Sequence, residues 1–438
     1  MDMAQVLSYP LGPLPWSLAN PDGSLMKTSK AKLLPLLEDN VAPLEEIPPG
    51  SAWIIDGMVL LQCLRTRPST FAELARVVLQ MIMSSQHVCG SQVDVVFDCY
   101  WEASIKSAER QQRAVQGGLC TAISSRNQKS PQQWAKFLQI GANKVSLVSF
   151  LVEEWSSNDY GDVLGSNTLY ATSAEDCWRY SAVDGLVSRE EVPQLKCSQE
   201  EADTRMLLHA AHAASQGFAS IVLRSPDTDV AVIAISLAGQ VPAQLVFRTG
   251  TQHRVRFIDL TQLALHHGVT SASLIGLHSF TGCDSCSSFS GIGKEKGFLL
   301  MKEERHRSTM TALGQLMLVS DELMAGIERF VCALYGKPNI ASVNQLRYTM
   351  FCTKGNTTDR LPPCHDALRL HAMRSNYQAA VWRHALEPQP DIPPPAGHGW
   401  KAADGGGLSI HWLDVLPAPQ QLLELVSCGC RSDCTSGR

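Results

Sequence analysis

The segment RSPDTDVAVIAIS, Arg224 to Ser236, places two aspartates one residue apart, Asp227 and Asp229, at the head of an apolar run. A strand or helix entering a core does not ordinarily open on paired, uncompensated charge. Either the two carboxylates point into water from a turn, or they share a cation. Five further acids stand in comparable places. Asp56 closes SAWIID, Asp98 closes QVDVVFD, Glu201 and Asp203 lie in EEADTR, and Asp284 lies in a Gly- and Ser-rich turn within FTGCDS. Clustered carboxylates raise one another's pKa unless cations neutralise them. An all-oxygen donor set selects hard ions, Mg2+ or Mn2+, over zinc. Two such ions about 4 Å apart clamp the attacking and leaving oxygens of a phosphodiester, and water then serves as the nucleophile.

One of these acids has a simpler reading as well. Ser198 and Glu201 fit S-x-x-E, a capping box at the start of the helical pattern CSQEEADTRMLLHAAHAASQG, and acids suit the positive end of a helix dipole. Asp203 has no such role. Basic groups carry the same two-sidedness. Lys106, Arg110 and Arg113 in CYWEASIKSAERQQR recur at i, i+4, i+7 and share one helical face. They either reach a phosphate or pair on a solvated helix, Glu102 with Lys106 and Glu109 with Arg113. In SGIGKEKG, Gly291 and Gly293 let backbone amides approach phosphate at a helix start, and Lys294 adds charge. A G-x-G is also common in ordinary turns.

The elements that must position these groups alternate. SAWIIDG, QVDVVFD and FASIVLRSPDTD read as strands, each delivering an aspartate at its carboxyl end, and FAELARVVLQMIMSS reads as a helix. Strands alternating with helices imply βαβ units and an α/β fold with a mainly parallel central sheet flanked by helices. Sites in such sheets lie beyond the carboxyl ends of the strands. Residues 1–50, rich in Pro, Gly and Ser, read as an irregular extension. Residues 51–300 read as the α/β domain, 301–386 as a helical region, and 387–438 as a Pro/Gly-rich tail ending in a partial Cys cluster.

Composition narrows the function class. At 438 residues, 45% hydrophobic and 18% charged, the chain is an ordinary globular protein with a net charge of −5. A nucleic-acid partner therefore needs a local basic face or metal ions to meet its phosphates. The start MDMAQVLSYPLGPLPW has no basic segment followed by an apolar core, so no signal peptide is expected. No apolar run reaches the roughly 18 residues of a membrane span, so an intracellular protein of nucleus or cytoplasm, with no membrane partner, is expected. The fourteen cysteines are scattered through apolar segments and do not form a secreted disulfide pattern. Cys428, Cys430 and Cys434 resemble the opening of a cysteine-rich zinc module, but three ligands fall short of a tetrahedral set. Cys364 and His371 share a helix face, where core packing competes with zinc and is the favoured reading.

The order IIDG, VVFD, EEAD, SPDTD, GCDS and SGIGK resembles the flap-endonuclease branch of the PIN-like nucleases over residues 51 to about 300. The resemblance implies a PIN-like fold and two-metal hydrolysis of DNA or RNA. It assigns metal binding to Asp56, Asp98, Glu201, Asp203, Asp227, Asp229 and Asp284. It also implies phosphate contacts from Lys106 and Arg113, and a duplex-holding turn at Gly291, Gly293 and Lys294; Arg110, on the helical face of Lys106 and Arg113, is a further nucleic-acid-binding candidate. FDCYWEASIKSAERQQR, SQEEADTR, SPDTDV and FTGCDS are also similar to a poorly characterised group of animal proteins. The chain departs from flap endonucleases in its 50 residues before the first strand, in an insert poor in basic residues after Arg126 and Lys129, and in Ser285 where that family has tyrosine. Two rival functions remain open: a catalytically inactive nucleic-acid-binding or scaffold protein on the same fold, and a metal-dependent phosphatase using the same acids.

Overall fold

The computed structural model describes residues 2–64, 68–84, 91–100, 105, 120–250, 254–353, 360–403 and 407–425. The chain divides into two compact units: residues 37–271 with 382–392, and residues 1–36 with 272–381 and 393–438. This differs from the linear division expected from composition.

The first unit is built on an eight-stranded sheet. Its strands are β1 (Ala52–Asp56), β2 (Gln92–Val96), β3 (Thr168–Ser173), β4 (Asp176–Val183), β5 (Leu186–Glu191), β6 (Ser220–Arg224), β7 (Gln244–Thr249) and β8 (Arg256–Asp259). Their order is β5-β4-β3-β2-β1-β6-β7-β8. The five central strands β3, β2, β1, β6 and β7 are parallel, and an antiparallel partner flanks them on each side. The expected mainly parallel α/β sheet is therefore present. β1 lies at its centre: the chain runs outward through β2 and β3 on one side, then crosses to β6 and β7 on the other. That reversal makes the crevice at the carboxyl ends of β1 and β6 a topological switch point, where open α/β sheets hold their ligands.

Both faces of the sheet are covered. On one, Trp53, Ile55, Val93, Val95, Leu169, Ala171, Val222 and Val246 pack against α2 (Phe71–Met83) and α4 (Gly141–Glu154) in a single core. α1 (Gly57–Gln62) and α3 (Trp134–Gln139) join the same core. Thr70 and Glu73 form the capping box that starts α2, and the apolar stripe of FAELARVVLQMIM faces inward as its period requires. α5 (Ala202–Ser215) packs against β1, β2 and β6. It is followed by α6 (Thr228–Leu237) and α7 (Leu260–His267).

The second unit is mainly helical, with α8 (Leu274–Phe280), α9 (Lys294–Leu300), α10 (Glu304–Ala312), α11 (Asp321–Leu334), α12 (Val343–Phe351) and α13 (His365–Arg383). Phe280 packs its ring on Phe330 and His371 at 5.8 and 5.0 Å between centroids. Residues 1–36, within the stretch expected as an irregular extension, are part of this unit. Leu7, Leu18 and Leu33 are buried, and the buried Arg347 guanidinium donates to the carbonyls of Leu7 (2.7 Å) and Tyr9 (2.9 Å). An internal guanidinium must find oxygen partners, and here the first residues of the chain supply two of them. In the tail, Trp400–Ala402 and Leu408–Ile410 pair as a short antiparallel ribbon. Among the described residues no helix is long and apolar enough to cross a membrane.

Candidate metal centre

The strand ends deliver the acids as the alternating pattern requires. Asp56 is the last residue of β1, and its Oδ1 accepts from the amides of Met58 (3.0 Å) and Val59 (3.2 Å), capping α1. The glycine that follows is a packing requirement, because a Cβ on Gly57 would overlap the ring of Phe97. Asp98 stands two residues beyond β2, and its Oδ1 accepts from the amide of Ala202 at 2.8 Å. Asp227 caps α6, accepting from the amide of Asp229 at 2.9 Å. Each carboxylate offers about four acceptor sites, so a capping bond does not exhaust it.

α5 carries Asp203 in its first turn and is bolted to β2 and its exit. Asp94 Oδ2 and His209 Nδ1 meet at 2.6 Å, both fully buried. One turn nearer the helix start, the buried Arg205 donates from Nη1 to Ala174 O (2.7 Å) and Phe97 O (3.3 Å). Gln92 Nε2 donates to the second oxygen of Asp94 at 2.9 Å. These contacts fix the helix against the strand that presents Asp98.

The result is a carboxylate cluster at the switch point. Donor atoms of Asp203, Asp227 and Asp229 lie within 4.8 Å of one another, with Asp203 and Asp229 only 7% and 3% exposed. Carboxylates gathered this closely could share one divalent ion. Among the described residues this is the group of His, Cys, Asp and Glu close enough to share an ion. Asp56 adjoins it electrostatically. Burial, then the charge of Asp98, push its pKa up to about 6; the two amides oppose this, and Asp227 adds a smaller upward push. A carboxyl raised in this way is the signature of negative charge gathered in a poorly solvated place. An all-oxygen donor set suits a hard divalent cation better than zinc.

Other expected residues fall differently. Ser198 and Glu201 do not form a capping box: α5 starts at Ala202, Glu201 is the N-cap residue without a side-chain cap bond, and Ser198 gives its amide to Pro388 O. The aspartate at the β2 exit takes the capping place instead. Asp284 belongs to the helical unit, where Lys30 Nζ stands 3.2 Å from its carboxylate and Lys27 donates to its carbonyl. Lys294 is a correction. The residue is 1% exposed and its ammonium donates to His278 O (2.9 Å) and Thr281 Oγ1 (3.1 Å), so it faces the interior and not a phosphate. Gly291 takes φ +69° and Gly293 is the N-cap of the seven-residue α9. His371 is core, its Nε2 2.9 Å from Phe280 O. Lys106, Arg110, Arg113, Cys428, Cys430 and Cys434 lie outside the described residues.

The sequence pattern did not single out Asp94, Arg205 or His209. Arg205 and His209 sit at i and i+4 on α5 and bracket the apolar Met206, Leu207 and Leu208, which is a signal that could have marked them as buried anchors. Two cavities of about 550 and 530 Å3 lie in the sheet unit, one lined by Leu44 and Phe257, the other by Arg76 and Asp159; the acids line neither. No protein-family model matches the chain, and no curated protein matches it.

Proposed function

We propose that the chain is a divalent-metal-dependent nuclease of the PIN-like type, hydrolysing phosphodiester bonds of DNA or RNA. The observation that carries this reading is the convergence of Asp203, Asp227 and Asp229 within 4.8 Å at the carboxyl edge of a parallel sheet, with Asp56 raised beside them. Asp203, Asp227 and Asp229 would hold Mg2+ or Mn2+, with Asp56 and Asp98 adjoining and orienting its waters. The ions, when bound, supply neutralisation of the charge that builds on the phosphoryl oxygens. The chain's own part is to bind and orient. Asp227 and Asp98 hold the starts of α6 and α5, and Arg205 and His209 keep α5 seated, so the carboxylates keep their places as a substrate arrives.

A second reading has its own support. Asp56, Asp98 and Asp227 each cap a helix, a structural use that a non-catalytic nucleic-acid-binding protein would retain. Cleavage separates the two. Labelled single-stranded, flapped and duplex DNA and RNA are incubated with Mg2+ or Mn2+ and either wild type or Asp229→Ala. Metal-dependent cutting that the variant loses supports the nuclease. Binding without cutting by both proteins moves the scaffold reading ahead.

A further inference from the structure

Arg224, the last residue of β6, and Arg248, the penultimate residue of its parallel neighbour β7, are direct register partners. One lateral row of the sheet runs Ala171, Val95, Ile55, Arg224, Arg248, Phe257. Register partners point to the same face, about 4.8 Å apart from strand to strand. Two residues back along the same strands stand Val222 and Val246, which belong to the apolar core on that face. Two guanidiniums thus sit side by side in a row whose other members are apolar.

Such a pairing is costly. Like charges repel, and partial burial deprives them of water. Burial, with a smaller contribution from Arg248, brings the pKa of Arg224 down to about 10, and burial lowers that of Arg248. Among the described residues the Arg248 guanidinium has no hydrogen-bond or ion-pair partner. Cys63, at the end of α1, is near enough to Arg224 to act on its charge, and a helix carboxyl end suits one arginine. It does not explain a second beside it.

The pair also lies at the edge that carries the acids. Ile55, register partner of Arg224, precedes Asp56, and Arg224 precedes Asp227 by three residues. We propose that Arg224 and Arg248 form a phosphate subsite, holding a phosphate group of the substrate strand next to the one presented to the carboxylates. Guanidinium forks match phosphate oxygens two at a time, and a bound anion converts the repulsion between the arginines into joint attraction. The proposal rests on the nuclease reading only for the molecule that carries the phosphate.

The test uses the full chain in a chelator, so that binding is read without cleavage. The probes are inorganic phosphate and fluorescent single-stranded oligonucleotides with and without a terminal phosphate. Inorganic phosphate is expected to displace the oligonucleotide from wild type and to raise its melting temperature. Arg248→Gln is expected to weaken oligonucleotide binding roughly tenfold and to abolish the phosphate-induced rise. It should melt no lower than wild type in phosphate-free buffer, since a repulsive charge is gone. Arg248→Lys, which keeps the charge but not the fork, checks the result and is expected to fall between the two. If removing the terminal phosphate weakens wild type but not Arg248→Gln, the subsite takes a strand end; equal binding of both oligonucleotides, still weakened by the variant, assigns it to a backbone diester. The proposal is overturned if wild type and Arg248→Gln bind every probe alike, or if inorganic phosphate displaces nothing from wild type. Phosphate binding through Arg248 in a protein that cuts nothing would remove the nuclease reading and leave the subsite. Cleavage by a protein whose phosphate binding ignores Arg248 would do the reverse.

Discussion

Asp98 Oδ1 accepts the amide of Ala202 at 2.8 Å, so the exit of β2 holds the start of a helix 104 positions later in the chain. That bond ties two roles to one carboxylate, fold and charge, and substitution can separate them. Asparagine caps a helix about as well as aspartate, whereas alanine costs about 1 kcal/mol. Asp98→Asn is expected to keep wild-type stability in urea while losing metal-dependent cleavage. Asp98→Ala should lose both. Unimpaired cleavage by Asp98→Asn would confine the residue to its capping role.

The acid cluster should make the metal-free protein less stable than its packing allows. Without divalent ions, Asp229→Asn is expected to melt above wild type, because one of three crowded charges is gone. Adding Mg2+ or Mn2+ should raise the melting temperature of wild type by mass action and that of the variant far less. Calorimetry in EDTA and in millimolar Mg2+ checks both. Equal metal shifts in the two proteins would remove Asp229 from the ligand set.

Lys294 stabilises the helical unit from inside. Replacing it by Met strips the buried His278 carbonyl and Thr281 hydroxyl of a charged donor, which costs about 1–3 kcal/mol. The loss should appear in urea unfolding. Oligonucleotide affinity of the folded variant should stay at the wild-type level; a clear fall would return Lys294 to the phosphate-facing role read from its sequence.

His371 makes this unit sensitive to acid. Burial, then the nearby Arg374, depress its pKa from 6.5 to about 3, and Nε2 faces the Phe280 carbonyl. Its Nδ1 is buried without a hydrogen-bond partner. The unfolded chain therefore binds a proton that the folded one refuses. The stability this histidine contributes is whole above about pH 6.5 and drains away as pH falls towards 3, amounting to about 2 kcal/mol by pH 5. His371→Gln is expected to flatten the pH dependence of unfolding between pH 7 and 5 by that amount. An unchanged slope would mean that the ring accepts its proton in the folded state.

Strand ends were legible in the sequence because the signal is local. IIDG, VVFD and FASIVLRSPDTD are short β-branched runs that stop at acids, and they became β1, β2 and β6 with Asp56, Asp98 and Asp227 at their carboxyl ends. The hairpin β4–β5 was missed. Its turn at Asp184 and Gly185, both with positive φ, carries the D-G signal of a tight hairpin, but its strands are largely polar. The N-terminal residues read as an extension because nothing near them in sequence shows that Arg347 needs their carbonyls.

Residue types and spacing determined by themselves that acids would gather at the edge of a parallel sheet, since strand direction and hydrophobic period depend on neighbours a few positions away. Tertiary structure alone decided which acids meet. Asp203, Asp227 and Asp229 come together because Asp94 and His209, 115 positions apart, are buried in contact, and because Asp98 replaces Ser198 as the cap of α5. The same holds for the lysine that turned inward and the arginines that came to lie side by side. Whether a charge is buried, and against what, depends on groups distant in the chain, and no local pattern encodes them.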